Sequence, residues 1–324
     1  MPKAVVCREL GPPEALRLEN CPSSPLAHGQ VRVAIRAAGI NFPDILMAAG
    51  EYQLKPELPF TPGVEAAGDV VEVDADAGGV AVGDKVMLRM RYGAYAEEAV
   101  VGPSQLTPLP ASFDYAEGAT FLAAYGTAYH ALVDRGQIKS GEVLLVHGAG
   151  GGVGLAAVEM GKLLGATVIA AASSAEKLDV ARTKGADHLV LYSREPFRDA
   201  VKRITDGRGA DVVFDPVGGE VFENSLRCIA WGARILVIGF TGGIGLARTN
   251  LVLIKGASVL GVRAGEAVRK NPALGEARME ALLQWAEEGR IRPNVSHRLP
   301  LDDYAPAMRL LIERKAIGRV ALMM

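Results

Sequence analysis

Apolar and polar residues alternate through the first third of the chain. Residues 30–36 (QVRVAIR) and 69–74 (DVVEVD) largely set side chains of opposite character on successive positions, the period of a strand with one buried face. Turn signals such as Val82-Gly83-Asp84 separate these runs, so the region predicts short antiparallel strands closed into a barrel or a sandwich. From 112 to 133 the pattern turns helical, with Ser112 or Asp114 as N-cap and two stretches meeting near Ala124-Tyr125-Gly126.

Past Lys139-Ser140-Gly141 the period changes again. The apolar run 143–147 (VLLVH) enters a glycine cluster and gives way to the amphipathic stretch 155–164, closed by Gly165, which reads as strand, tight turn and helix. The unit recurs as strand 167–172, helix 176–184 stopped by Gly185, strand 188–191 and helix 196–205. Strands at 210–215, 233–239 and 258–262 follow, with a helix over 221–229 between the first two. Six strands alternating with helices predict an α/β domain with a doubly wound parallel sheet of the Rossmann type. Beyond 277, a helix with Leu282, Leu283 and Trp285 on one stripe, a strand near His297, a helix over 303–314 and a strand over 318–322 are expected to return to the first domain. The expected division is 1–124 with 266–324 for the first domain and 125–265 for the dinucleotide domain. Twelve of the 18 prolines lie at or before Pro110, which agrees with a change of character there.

Composition narrows the class. A chain of 324 residues, 49% hydrophobic and 22% charged, fits a globular protein of about two domains at roughly 150 residues each. No apolar run approaches the roughly 18 residues of a membrane-spanning helix, and the mixed start MPKAVVCREL does not read as a secretory signal, so a cytoplasmic protein without a membrane partner is expected. A net charge of -2 without a basic run argues against nucleic acid as a partner. Cys7, Cys21 and Cys228 stand far apart and offer neither a C-x-x-C pair nor a disulfide framework.

Chemistry enters at residues 148–154 (GAGGGVG). Ala149-x-Gly151-x-x-Gly154 is a variant of the G-x-G-x-x-G fingerprint, made specific by its place between an apolar strand and an amphipathic helix. Residues without side chains let the backbone approach a pyrophosphate, and the helix start offers unpaired N–H groups. An NAD site carries an acid about 20 residues further on to hold the ribose hydroxyls. Here the chain reads Ser173-Ser174-Ala175-Glu176-Lys177, whose hydroxyls and cation suit a 2′-phosphate and favour NADPH. The same residues also read as a capping box of Ser173 with Glu176 and a solvated Lys177; the two roles can share one helix terminus. Tyr192, just past the third strand, suits the adenine side or an ordinary surface position.

Residues 39–46 (GINFPDIL), 58–65 (LPFTPGVE) and 226–240 (LRCIAWGARILVIGF) resemble the zinc-free quinone oxidoreductase branch of the medium-chain dehydrogenase/reductase superfamily, and within it the quinone-oxidoreductase-like protein 2 group. The resemblance covers essentially the whole chain and implies a GroES-like β-barrel domain beside the Rossmann domain. Zinc-dependent members carry a Cys-His pair and a Gly-His-Glu triplet where this chain has Asn41-Phe42 and Gly63-Val64-Glu65, and no His or Cys cluster has ligand spacing, so no metal is expected. Without a Lewis acid the acceptor must be easier to reduce than a simple ketone, as quinones and conjugated enones are.

The resemblance further implies that Asn41, Asp44, Tyr52 and Thr127 line the catalytic cleft. Asn41 would bond near the nicotinamide ribose or a substrate oxygen, and Tyr52 would donate to or stack on the acceptor. Asn41 and Asp44 read equally as local caps. It also implies Gly151, Gly152 and Val153 at the pyrophosphate; Ser173, Lys177 and Tyr192 at the adenosine phosphate; Phe240 near the nicotinamide; and Arg314 at the cofactor, the last also readable as a helix-dipole partner. Arg89 and Arg91 suit either a cleft mouth attractive to anions or a solvated strand. Strand 258–262 is expected at the sheet edge, pairing across a two-fold axis in a homodimer. An enoyl-thioester reductase and a low-turnover NADPH-binding sensor are the competing functions.

Overall fold

The alternation in the first third folds into strands with one buried face. In the computed structural model, which describes residues 1–324, these are β1 (Lys3–Val6), β2 (Arg17–Asn20), β3 (Val31–Gly39), β4 (Glu65–Val73), β5 (Lys85–Arg89), β6 (Glu98–Val101) and β7 (Leu106–Pro108). Helices α1 (Phe42–Ala48) and α2 (Tyr115–Gly118) accompany them. Along β3, Val31, Val33 and Ile35 are buried while Arg36 is exposed. β3 pairs antiparallel with both β4 and β6, and two register shifts against β4 bend the pair as bulges do.

Helix α3 (Leu122–Tyr129) runs into a π-helical turn, His130–Arg135, so the helical stretch expected over 112–133 is three pieces. Then follow β8 (Val143–Val146), α4 (Gly152–Leu163), β9 (Thr167–Ala172), α5 (Ala175–Thr183), β10 (His188–Leu191), α6 (Phe197–Ile204) and β11 (Ala210–Asp215). The unit continues through α7 (Gly219–Ser225), β12 (Ile229–Val237), α8 (Thr249–Lys255), β13 (Ser258–Gly261), α9 (Ala264–Lys270) and α10 (Pro272–Glu287). All six strands are parallel, in the order β10-β9-β8-β11-β12-β13. The four residues of β8 are all buried, the continuous apolar run of a strand covered on both faces. Strand order reverses between β8 and β11, which opens a crevice at their carboxyl ends.

The chain closes with β14 (Val295–Pro300), α11 (Tyr304–Ile312) and β15 (Arg319–Met323), and β15 lies between β14 and β3. The two compact units are therefore Met1–Ala123 with Arg292–Met324, and Ala124–Ile291. The second crossing falls at 291/292 and not near 266, and helix α10 stays with the parallel-sheet unit instead of returning to the first. Its buried Leu282 and Ala286 explain this, together with Arg278, whose guanidinium donates to Asp134 Oδ2 at 3.0 Å. No helix is long and apolar enough to cross a membrane.

Candidate active site

In the parallel-sheet unit, the loop after β8 lies at the switch point. Gly148 has a left-handed φ of 56°, and its carbonyl accepts the N–H of Gly151 at 2.9 Å. Gly151 is the N-cap of the 12-residue helix α4 and supplies no side-chain acceptor, so the first amides of that helix have no capping partner of their own. A Cβ on Gly154 would stand 2.3 Å from the Gly148 carbonyl oxygen, and one on Gly150 would stand 2.5 Å from Lys177 Cβ. The loop is thus held against both the helix it opens and the helix after β9, leaving a side-chain-free cradle that fits a dinucleotide diphosphate. Gly154→Ala is expected to cost about 1–3 kcal/mol of stability, because α4 must lift from the loop; a urea midpoint equal to wild type would refute the packing role.

The end of β9 carries Ser173, Ser174 and, one turn into α5, Lys177. Ser174 is the N-cap, accepting the Lys177 N–H at 3.4 Å, and the cap therefore sits one residue beyond the Ser173 considered in the sequence. Ser173 is left beside the ammonium of Lys177, 3.4 Å from its Nζ. No carboxylate stands at the strand end itself. Ala149 is buried and its N–H donates to Ala171 in β9, while Phe240 is half exposed just past β12. Phe240 is next to the loop after β11: a Cβ on Gly218 would stand 3.2 Å from Phe240 Cα.

Tyr192 follows β10, yet its hydroxyl is taken up within the protein. It lies 2.9 Å from His147 Nδ1 and accepts the Gly148 N–H at 3.4 Å. On the far side of the ring, His147 Nε2 lies 2.8 Å from Ser225 Oγ. Burial without a charged partner pushes the His147 imidazole down to about 3, and burial pushes the Tyr192 phenol up. Beside them Asp215, at the end of β11, accepts the N–H groups of Val217 and Gly218; burial raises its pKa and its Oδ2 has no partner.

In the other unit, Asn41 and Asp44, two of the residues expected at a catalytic cleft, belong to a buried polar cluster. The Asn41 amide is fully engaged: Nδ2 donates to Glu65 Oε1 at 2.9 Å, and Oδ1 accepts from Arg319 at 2.9 Å. Arg319 also pairs with Glu65, whose second oxygen accepts the Ala123 N–H at 2.7 Å. Asp44 is the local cap, its Oδ2 taking the Asn41 N–H and the Tyr95 hydroxyl, both at 2.8 Å. Its Oδ1 is buried without a partner, and burial raises the carboxyl to about 7 against those two hydrogen bonds. Tyr52 is half-buried against the same core. Arg89 and Arg91 are both exposed, Arg89 donating to the Val64 carbonyl at 3.0 Å, and Arg314 follows α11 with a left-handed φ of 57°. Thr127 belongs to the parallel-sheet unit, on α3.

His147, Ser225, Asp215, Tyr95 and Arg319 were not singled out in the sequence. A histidine closing an otherwise apolar strand ahead of a glycine loop was the available signal for the first. Arg319 had none, being 254 positions from Glu65.

The two units match family models described as an alcohol dehydrogenase GroES-like domain, over residues 27–111, and a zinc-binding dehydrogenase, over residues 152–288. The quinone oxidoreductase-like protein 2 homolog of Nematostella vectensis is 37% identical over 324 residues, spanning 99% of this chain and 88% of the relative. The Escherichia coli quinone oxidoreductase complexed with NADPH superposes with a TM-score of 0.92 at 28% identity, over 99% of this chain and 100% of that one. The JamJ enoyl reductase does so with a TM-score of 0.88 at 28% identity, over 100% and 98%. A relative this similar along nearly the whole length of both chains, on a GroES-like and a Rossmann unit, makes this protein a member of the quinone oxidoreductase branch of the medium-chain dehydrogenase/reductase superfamily.

Proposed function

We propose that this oxidoreductase is a cytoplasmic, NADPH-dependent reductase of quinones or related conjugated carbonyls, working without zinc. The observation that carries the cofactor choice is the Ser173–Lys177 pair at the end of β9: Ser174 does the capping, and the Ser173 hydroxyl stands beside the Lys177 ammonium, a pairing that suits a 2′-phosphate. Bound NADPH would supply the hydride. The chain's own part is to seat the diphosphate on the uncapped start of α4, through Gly151, Gly152 and Val153, and to hold the 2′-phosphate with Lys177 and Ser173. Phe240 offers an apolar face on the nicotinamide side.

The Asn41 region does not suit a catalytic zinc. Where zinc-dependent relatives place ligands, the Asn41 amide is spent on Glu65 and Arg319, and the Arg319 guanidinium already neutralises the Glu65 carboxylate. An acceptor whose added charge is delocalised, such as a quinone, needs positioning more than Lewis acidity. Tyr52 remains the proposed donor or stacking partner for it, with Thr127 as a further cleft residue. The similarity to the JamJ enoyl reductase favours one alternative, reduction of an enoyl thioester.

Nicotinamide absorbance separates these readings, with NADPH or NADH as donor and para-benzoquinone or an enoyl thioester as acceptor. Fast NADPH oxidation by the quinone is expected; turnover with the thioester alone would shift the assignment to the enoyl reductase. Lys177→Ala is expected to raise the KM for NADPH about tenfold to a hundredfold, the worth of a charge-assisted bond, while leaving that for NADH nearly unchanged. Equal effects on both would remove Lys177 from the 2′-phosphate. We further propose a homodimer through the edge strand β13, whose Val259 is exposed, as are Trp231, Leu253 and Ile254 of the same unit. Light scattering should give twice 34.1 kDa.

A further inference from the structure

Four hydrogen bonds run in one direction beneath the glycine loop, and counting protons fixes that direction. Ser225 has one hydroxyl proton, which goes to the Val221 carbonyl one turn back along α7, at 2.7 Å. Its oxygen can then only accept from His147, so the ring proton sits on Nε2. A neutral ring with its proton on Nε2 presents Nδ1 as an acceptor, and the Tyr192 hydroxyl must donate to it at 2.9 Å. The Tyr192 oxygen, with its own proton committed, faces the Gly148 amide and accepts from it at 3.4 Å.

Gly148 is where the loop is set. Its φ of 56° joins the peptide whose N–H meets Tyr192 to the next one, whose carbonyl meets Gly151 and crowds Gly154, so holding the first peptide constrains the second and with it the start of α4. We propose that His147 and Tyr192 are positioning residues for the dinucleotide diphosphate: Ser225 sets the His147 tautomer, His147 aims the Tyr192 hydroxyl oxygen at the Gly148 amide, and the glycine loop is held in its binding shape. This rests on the reading that the protein binds a nicotinamide dinucleotide. It also gives Tyr192 a different task from the adenosine phosphate contact that the family resemblance implies. A hydroxyl whose proton is committed to a buried imidazole has none to give a 2′-phosphate, and the diphosphate it serves through Gly148 is common to NADH and NADPH.

That common dependence supplies the test. Dissociation constants of NADPH and NADH are measured from the fluorescence of the bound reduced nicotinamide, for wild type and Tyr192→Phe. The variant keeps the ring, which packs edge-on to Phe197 at 6.0 Å between centroids. Both constants should rise by the same factor, about threefold to tenfold for one neutral hydrogen bond, with their ratio unchanged. Weakening of NADPH alone would place Tyr192 on the phosphate and overturn the proposal, as would no change in either. Wild type that binds neither dinucleotide would instead remove the parent reading. A second measurement needs no variant: histidine 15N spectra should show His147 neutral, with its proton on Nε2, throughout pH 5–8. In Ser225→Ala the Nε2 proton loses its acceptor, and the spectra should shift toward the Nδ1 tautomer with both dinucleotides weakened together. A proton on Nδ1 in wild type would break the chain at its first link.

Discussion

Arg319→Met lowers the unfolding free energy by about 3–5 kcal/mol, the cost of leaving a buried carboxylate without its cation. Glu65 is wholly buried, and in the variant it keeps only the Asn41 Nδ2 and the Ala123 N–H. Neither carries a full charge. The Asn41 oxygen loses its donor as well, so two acceptors are stranded by one change. The methionine stem fills much of the arginine's volume, which keeps cavity formation from dominating the loss. Adding Glu65→Gln should recover much of it, since the stranded charge is gone: the amide oxygen can keep the Ala123 N–H, and its NH2 can donate to the Asn41 oxygen that Arg319 has released once the Asn41 amide turns over. Urea midpoints for the two single variants and the double then give a coupling of roughly 1–3 kcal/mol. Additive losses would mean that the pair contributes only as two independent hydrogen-bonding groups. Because Arg319 opens β15 and Asn41 precedes α1, the cluster ties the returning end of the chain to its first third. Its loss should therefore be felt in cooperative unfolding of that whole unit and not as local fraying.

The parallel-sheet unit was the more legible half of the sequence, for a physical reason. Strands buried on both faces become uninterrupted apolar runs, and Val143–Val146 or Thr167–Ala172 can be read without knowing their neighbours. The glycine loop was legible because close backbone approach admits no other residue at Gly154. What needed coordinates was anything decided by partners distant in sequence. An apolar stripe on α10 shows that the helix packs, but not which unit receives it; Arg278 meeting Asp134 across 144 positions settles that. Ser173 and Ser174 are indistinguishable as caps by type, and only the backbone at Ser174 assigns the role. The same holds for Asn41: a turn residue followed by Phe-Pro-Asp reads as a cap, whereas its amide is consumed by Glu65 and Arg319.

Asp44→Asn should change stability little at pH 4 and most above pH 7. The carboxyl has a usual value of 3.8 and stands at about 7 in the fold, so between those limits the folded chain holds a proton that the unfolded chain has released. Stability must therefore fall as pH rises through the window, by roughly 4 kcal/mol in all if the whole displacement is realised. Burial is the main cause, with the nearby Glu65 adding to it, while the Asn41 N–H, the Tyr95 hydroxyl and Arg89 oppose it. The wild-type curve alone will not display this slope. His147 works in the contrary direction: its folded value of about 3 lies below its usual 6.5, so its contribution is intact at neutral pH and is lost as pH falls through the same range. The two slopes oppose each other in wild type. Subtracting the Asp44→Asn curve from the wild-type curve removes every group but one, and the difference should open steadily from pH 4 and level off above 7 in favour of the asparagine. Urea unfolding of both proteins at unit steps of pH measures it. Parallel curves would mean that Asp44 is ionised in the fold at pH 5, and hence that solvent or a cation reaches its otherwise unpartnered Oδ1.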